Sequence, residues 1–292
     1  MSKRLEIDAL RTIVAIDTQG GVTRAADHLS LSQSAVSHKI KRLEQALDCT
    51  LLARGSGTSL FTDAGERLLE YARRMIDLQD ETIASLRQMK LQGAIQIGMT
   101  EDTTSSGLAR ILGRFSRLYP DVRVKTRINQ SLTLATQLEN SVIDVAIMQI
   151  LKEDLQANDI VLYEDTLHWV KSKELILKLE EPIPFLAFDK QCFYKHWAAI
   201  KGQSNGHEFD TIFECPSVTG ILAAAKSGMG VALLNGLHIS TELEVITDIF
   251  PSPPEIAYVV RINPNKSNTE AITTLVDEIN REVKNAIPLR VA

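Results

Sequence analysis

Between Thr23 and Leu47 two short apolar patterns of helical period stand on either side of a turn, and this leaves the chain few ways to fold. Ala26 and Leu29 belong to the first; Val36, Ile40, Leu43 and Leu47 recur at i, i+4, i+7 and i+11 in the second. Apolar residues at that interval form one stripe on a helix. Ser30-Leu31-Ser32 is too short to let the helices part, so the span reads as helix, tight turn, helix. Thr23 is placed to cap the first of them. Upstream, Leu5, Ile7, Leu10, Ile13, Val14 and Ile16 mark a further helix, and Gln19-Gly20-Gly21 stops it.

The second helix of such a pair enters the major groove of DNA with its N-terminal residues at the base edges. Here those residues are Gln33, Ser34, Ser37 and His38. Gln pairs bidentately with adenine, and Ser reaches several edges. Lys39, Lys41, Arg42 and Arg54 suit phosphate contact, Arg54 from the base of a small hairpin. That hairpin is read from two apolar stretches flanking Gly55-Ser56-Gly57-Thr58-Ser59. Any one of these polar residues alone reads as a solvated side chain; the spacing of the set points to DNA. Residues 1–61 hold eight Lys/Arg against six Asp/Glu, whereas residues 93–292 hold 19 against 25. The net charge of −5 does not bar DNA, because phosphate contacts need only a local basic face.

Thr62 is placed to cap a long helix, with Asp63 and Glu66 where negative charge is favoured. Nothing breaks that helix before Gln92, giving about 40 Å at 1.5 Å per residue. Its apolar positions include Leu68, Ala72, Met75, Ile76, Ile83, Leu86 and Met89. A helix that outreaches a small domain needs a partner for such a stripe, and a second copy is expected. Packing on its own body is the plainer alternative.

From residue 93 the pattern alternates. IQIGM, VRVKTRI, DVAIMQ, PFLAF, DTIFE, GVALL and IAYVVRI read as strands, with helical segments between them. This order implies parallel sheet covered by helices. About 200 residues is large for one sheet, and Glu181-Pro182-Ile183-Pro184 sits mid-zone, so two α/β subdomains are expected.

Several classes are disfavoured. No run of 18 apolar residues occurs, and MSKRLEIDAL lacks the apolar core of a signal peptide, so neither a membrane nor secretion is expected. Cys49, Cys192 and Cys215 are too few for a disulfide framework, which fits a reducing cytoplasm. The chain has no CxxC, HExxH, GxxxxGK[ST] or GxGxxG, so no metal or nucleotide cofactor is expected. The six histidines are scattered and no Ser/His/Asp spacing appears, which disfavours an enzyme.

TRAADHLSLSQSAVSHKIKRLEQAL, the hairpin stretch LLAR and FTDAGERLL together resemble the LysR-type transcriptional regulators, and the resemblance covers essentially the whole chain. It implies an α+β multidomain protein: a winged helix-turn-helix over 1–62, a dimerising linker helix over 63–92, and an α/β effector domain over 93–292. That last domain is similar to periplasmic binding proteins, with subdomain I at about 93–164 and 266–292 and subdomain II at about 165–265. The implied partners are double-stranded promoter or operator DNA, a small-molecule effector in the cleft between subdomains, and further copies of the chain, as a homodimer and homotetramer. DNA contacts carry over to Gln33, Ser34, Ser37 and His38, with Lys41 and Arg42 beside them and Arg54 in the wing. Many members have proline where this chain has Ser34, and Arg or Gln where it has His38. GMTEDTTSSGLARILGRFSRLYPDV, AFDKQCFYKHW and CPSVTGILAAAKSGMGVALLN look like the LrhA/HexA subgroup.

In a body of that type, cleft groups come from strand ends and helix N-termini. The expected effector set is Thr100, Asp102, Thr103, Ser131 and Gln149 from subdomain I, and Phe188, Cys192, Ser217 and Thr219 from subdomain II. Glu101, Thr104, Asn129, Gln130 and Thr133 fall at the same ends. Glu101 and Asp102 disfavour a strongly anionic effector, or act as capping acids. Cys192 lies near a helix start between Lys190 and Lys195, conditions that lower a thiol pKa, so a redox-sensing regulator is one alternative. A small buried hydrophobe is its plainer role. Cys192 and His196 offer only two metal ligands. A solute-binding protein without regulatory function is the other alternative, and residues 23–65 count against it.

Overall fold

A computed structural model describes residues 5–53, 60–86, 91–103, 107–201, 206–267 and 269–286. The chain divides into two units: Met1–Lys90 with Gly113–Pro120 and Arg281–Ala292, and Leu91–Leu112 with Asp121–Asn280.

The first unit is built from α1 (Ile7–Gln19), α2 (Val22–His28), α3 (Gln33–Leu47) and α4 (Asp63–Leu86). Leu10, Ile13 and Ile16 of α1 are fully buried, as their spacing requires. Gly20 ends α1 at φ +67°, and the amides of Gly20 and Gly21 donate back to Asp17 (3.1 Å) and Ile16 (2.9 Å). Gly21, not Thr23, occupies the N-cap of α2; the two glycines reverse the chain so quickly that Thr23 already lies in the first turn. Ser32 Oγ accepts from the Ala35 amide (3.2 Å) and starts α3. Val36, Ile40 and Leu43 of α3 then share one core with α1 and with Ala25 and Ala26 of α2.

Leu52 and Phe61 form an antiparallel bridge after α3. Residues 54–59, which include Arg54, lie outside the described residues. Thr62 Oγ1 accepts from the Gly65 amide (3.1 Å) and donates to the Thr50 carbonyl (2.7 Å), fixing the start of α4. Gly65 sits against the chain here, and a Cβ added to it would lie 2.2 Å from the Leu51 carbonyl oxygen.

The linker stripe divides. Leu68 and Ala72 are buried in the core of their own unit and Ile76 packs against it, so for these three the plainer alternative holds. Tyr71, Met75, Leu78, Ile83 and Leu86 are exposed. α4 closes at Leu86 rather than near Gln92, with 87–90 outside the described residues and Leu91-Gln92 leading into a strand. Residues 113–120 and the segment from Arg281 group with this first unit, not with the rest of 93–292 as expected. The buried Arg114 draws them there, pairing with Glu282 (3.1 Å) and with Asp77 and Asp80 of α4 (3.8 Å each).

The second unit runs β1 (Gly93–Met99), α5 (Glu101–Thr103), α6 (Ala109–Leu118), β2 (Val122–Ile128), α7 (Ser131–Glu139), β3 (Val145–Leu151) and β4 (Ile160–Ser172). It continues with β5 (Ile183–Ala187), α8 (Phe193–Lys201), β6 (Phe209–Glu214), α9 (Val218–Lys226), β7 (Val231–Asn235), β8 (Leu243–Ile246), β9 (Glu255–Ile262) and α10 (Glu270–Ala286); α6 and α10 end in the segments just described. The strand order is β2-β1-β3-β9-β4-β7-β5-β6, with β8 on β4. β1 pairs in parallel with β2 and β3, and β5 with β6 and β7. Between these sets β9 and β4 run antiparallel to their neighbours, so the sheet is mixed rather than parallel throughout.

Two halves result. β4 pairs with β9 up to Thr166 and with β7 from Leu167, so one strand serves both. β9 pairs Val145↔Ile262 through Leu151↔Ile256 with β3, which puts it in the first half and not in subdomain II as expected. Trp169 anchors the second half, stacked on Phe209 (5.2 Å between centroids) with its Nε1 donating to the Pro251 carbonyl (2.9 Å).

Gly65→Ala forces the Leu51 carbonyl and the start of α4 apart. We expect it to cost about 1–3 kcal/mol, the range for overpacking a tight site, read as a lower denaturant midpoint with unchanged slope.

Candidate functional site

Two surfaces of the molecule carry polar residues that its folding does not explain. The first is on α3. Gln33, Ser34, Ser37, His38, Lys41 and Arg42 are all exposed, while Val36, Ile40 and Leu43 hold the other side of the helix in the core. The i+4 spacing of Gln33, Ser37 and Lys41 aligns them in one row, with Ser34, His38 and Arg42 beside it. Lys39 is held by Asp8, so it is tied to its own fold rather than offered outward. Arg42 reaches Glu6 at 3.4 Å, both largely exposed, a pairing that water and salt screen. Lys41 has no acidic partner among the described residues.

The second surface is a cleft of about 290 Å³ in the α/β unit, lined by Glu101, Ile128, Asn129, Gln130, Thr133, Asp189, Gln191, Pro216 and Ser217. It lies at the carboxyl ends of the parallel strands of both halves, where ligands of open α/β sheets bind. Hydrogen bonds already cross it. Gln130 Nε2 donates to the Pro216 carbonyl (2.7 Å), and the Leu132 amide to the Gln191 carbonyl (3.3 Å). Glu101 accepts from Ser217 Oγ (3.2 Å) and from the Val218 amide (3.0 Å) at the start of α9.

Behind the cleft is a second, buried set. Asp102 Oδ2 accepts from Asn235 Nδ2 (2.9 Å) and from Gln149 Nε2, and Oδ1 meets His238 Nε2 at 2.5 Å. Tyr194 OH donates to Gln149 Oε1 (2.8 Å) and accepts from Asn235 Nδ2 (3.3 Å). Asp102 and Gln149 come from the first half, Tyr194, Asn235 and His238 from the second. Burial beside Asp102 pushes the Tyr194 hydroxyl well above its ordinary value, so it stays a neutral donor.

Comparison with known proteins decides what such a chain is. Residues 7–66 match the model of the bacterial regulatory helix-turn-helix protein, lysR family, and residues 89–284 match the LysR substrate binding domain. The chain belongs to the LysR family of transcriptional regulators. The HTH-type transcriptional regulator PecT, from Dickeya dadantii, is 28% identical, covering 95% of this chain and 88% of that protein. A probable RuBisCO transcriptional regulator from Synechocystis is 30% identical, covering 94% of this chain and 85% of the relative. Relatives so differently named stand at equal distance and do not single out the LrhA/HexA subgroup. The fold matches full-length HypT from Salmonella typhimurium at a TM-score of 0.50, with 18% identity and coverage of 95% and 98% of the two chains.

Within this LysR-type effector domain the expected residues separate. Ser217 lines the cleft, as do Glu101, Asn129, Gln130 and Thr133 from the same strand and helix ends. Asp102 and Gln149 are joined by a hydrogen bond but lie behind it, and Thr100 and Thr103 are buried there too. Ser131 is buried at the start of α7, Phe188 is buried after β5, and Thr219 is exposed on α9; none of the three lines the cleft. Sequence reading passed over Asp189, Gln191, Tyr194, Asn235 and His238. Asn235 carried the one available signal, since it ends an apolar strand at a position equivalent to Gln149.

Cys192 is 4% exposed, and burial pushes its thiol up to about 12. That outweighs the backbone amides of Tyr194 and Lys195, which favour the thiolate, and Lys195 is itself paired with Glu214. The redox reading of Cys192 is therefore corrected: a buried, protonated thiol is not a nucleophile. His196 Nε2 lies 2.7 Å from the Lys190 carbonyl, a local hydrogen bond rather than half of a metal pair.

Native protein at pH 8 should leave Cys192 unalkylated by iodoacetamide until it is unfolded, as read by peptide mass. In the fold the thiol ionises only near 12, whereas its ordinary value is 9.0. Its contribution to stability is thus complete below 9 and is lost as pH rises towards 12. Replacing it as Cys192→Ser should flatten that part of a stability-versus-pH curve.

Proposed function

We propose that this LysR-type regulator reads double-stranded operator DNA with the exposed row of α3, and that a small molecule held in the cleft of its α/β unit alters transcription. The observation that carries the first part is the division of α3 itself. Its apolar side is consumed by the core, and the side left over consists of groups able to read base edges and phosphates. Gln33, Ser34, Ser37 and His38 take the bases; Lys41 and Arg42 take phosphates, with Arg54 from the wing. On this reading residues 1–62 bind DNA, 63–92 connect, and 93–292 receive the effector. DNA as partner supports a location in the compartment that holds the operator, which we read as the cytoplasm. Among the described residues no helix is long and apolar enough to cross a membrane.

The effector site rests on Glu101, Asn129, Gln130 and Thr133 of one half meeting Asp189 and Ser217 of the other across one cleft. A ligand touching both halves shifts their equilibrium by its differential affinity, which is the requirement for a switch. The buried residues Asp102, Gln149, Thr100 and Thr103 shape the floor.

Gel shifts against the DNA upstream of the protein's own coding sequence test the DNA reading. Gln33→Ala should lose about 1–3 kcal/mol of preference for that DNA over random duplex. Lys41→Ala should weaken both alike and reduce the salt slope by about one. An unchanged preference in Gln33→Ala would place recognition elsewhere.

The exposed residues Tyr71, Met75 and Leu78 on one side of α4, with Ile83 and Leu86 where the stripe of Leu68 and Ala72 runs on beyond its own core, form the surface we assign to a second copy, as the first contact of a homodimer and then of a homotetramer. Leu78 is 64% exposed, so Leu78→Glu leaves the fold intact while placing a carboxylate in that contact. Sedimentation at micromolar concentration should show wild type larger than one chain and the variant smaller than wild type. Wild type sedimenting as a monomer would sink the assignment.

A further inference from the structure

We propose that the cleft takes a small cationic effector, an amine or guanidine, and that Glu101 is the residue that excludes carboxylates. The inference rests on the reading of this cleft as the effector site. Helix α9 opens onto the cleft, and the N-terminus of a helix ordinarily attracts an anion. Its own N-cap residue, Ser217, makes no capping bond to it. The place is taken by Glu101 from the other half of the unit, whose two oxygens accept from Ser217 Oγ and from the Val218 amide. The chain's own carboxylate therefore stands where an incoming one would bind.

The rest of the lining agrees. Asp189 supplies a second carboxylate; one of its oxygens accepts from the Gln191 amide (2.9 Å), and the other has no partner among the described residues. Asn129 and Thr133 add neutral polar groups, and no Lys or Arg lines the cleft among the described residues. Lys190, between Asp189 and Gln191, is exposed and is not among the residues that line the cleft, and Lys195 of α8 is neutralised by Glu214. An anion entering here meets two like charges and finds the helix end occupied. An ammonium or guanidinium meets two acceptors at opposite walls, Glu101 following β1 and Asp189 following β5.

The test uses the full-length protein, with thermal shift and calorimetry, at fixed ionic strength. The probes are putrescine, agmatine and spermidine on one side, and succinate and benzoate on the other. We expect at least one amine to raise the wild-type Tm, and neither carboxylate to do so. Asp189→Asn should weaken that amine about tenfold or more, the range for a lost hydrogen bond to a charged group. Glu101→Ala, which uncovers α9, should lose the amine and gain a response to succinate. Retained unliganded Tm and circular dichroism in Asp189→Asn keep the result interpretable if Glu101→Ala unfolds. A wild-type response to succinate that Ser217→Ala abolishes would overturn the cationic assignment and leave the cleft as the site. An amine response undiminished in both acidic variants would overturn the cleft as well. Silence from all three amines overturns the proposal.

Discussion

The α/β unit depends on one buried carboxylate. Asp102 is 5% exposed and sits where the strands of the two halves end, so its charge has to be met by donors from both. Asn235 and His238 come from one half and Gln149 from the other, and Tyr194 completes the set through Gln149 and Asn235. Leaving such a charge without a partner costs about 3–5 kcal/mol, comparable with much of a domain's net stability. The halves share β4, and this carboxylate fixes their closed arrangement from the inside. Its internal bonds also keep it out of the lining of the cleft. With every bond of Asp102 taken internally, the back of the cleft is floor, and the groups left to recognise anything are those of the front, Glu101 and Asp189 among them.

A comparable economy governs the first unit. The apolar stripe of α3 is used up by α1 and α2, and the polar side of the helix is left exposed. Gly65 and Thr62 hold α4 against the Leu51 carbonyl, so the orientation of α4 is set by backbone contact and not by side-chain packing alone. The same α4 buries Leu68 and Ala72 on its own core while Tyr71, Met75, Leu78 and Leu86 stay exposed. One amphipathic helix thus divides its apolar residues between its own core and solvent.

The N-terminal unit was largely legible because its signals are local. Helical spacing, the glycine stop after α1 and the threonine cap of α4 each act within four or five residues, and the paired helices followed from the spacing and the turn between them. The cleft was legible only in outline. Strand ends named the right neighbourhood, which is why Glu101, Asn129, Gln130, Thr133 and Ser217 were found. They could not say which side chains at those ends turn outward. Thr100, Asp102, Thr103 and Gln149 share the same neighbourhood and turn inward, Asp102 and Gln149 because they meet groups far away in sequence and Thr103 with a local bond to the Thr100 carbonyl. Cys192 failed for a related reason. Lys190 and Lys195 are close to it in sequence, but its burial between α8 and the body of the domain outweighs them.

By itself the sequence determined the helix-turn-helix, the exposed polar row of α3, the alternating α/β body and the absence of the familiar cofactor motifs, since each depends on period or spacing along the chain. Tertiary structure decided the rest. It sent β9 back between β3 and β4, divided the stripe of α4 between its own core and solvent, and brought Glu101 to the start of α9, 116 residues away. These are contacts between distant segments, and their energies depend on burial and on partners that no local pattern contains.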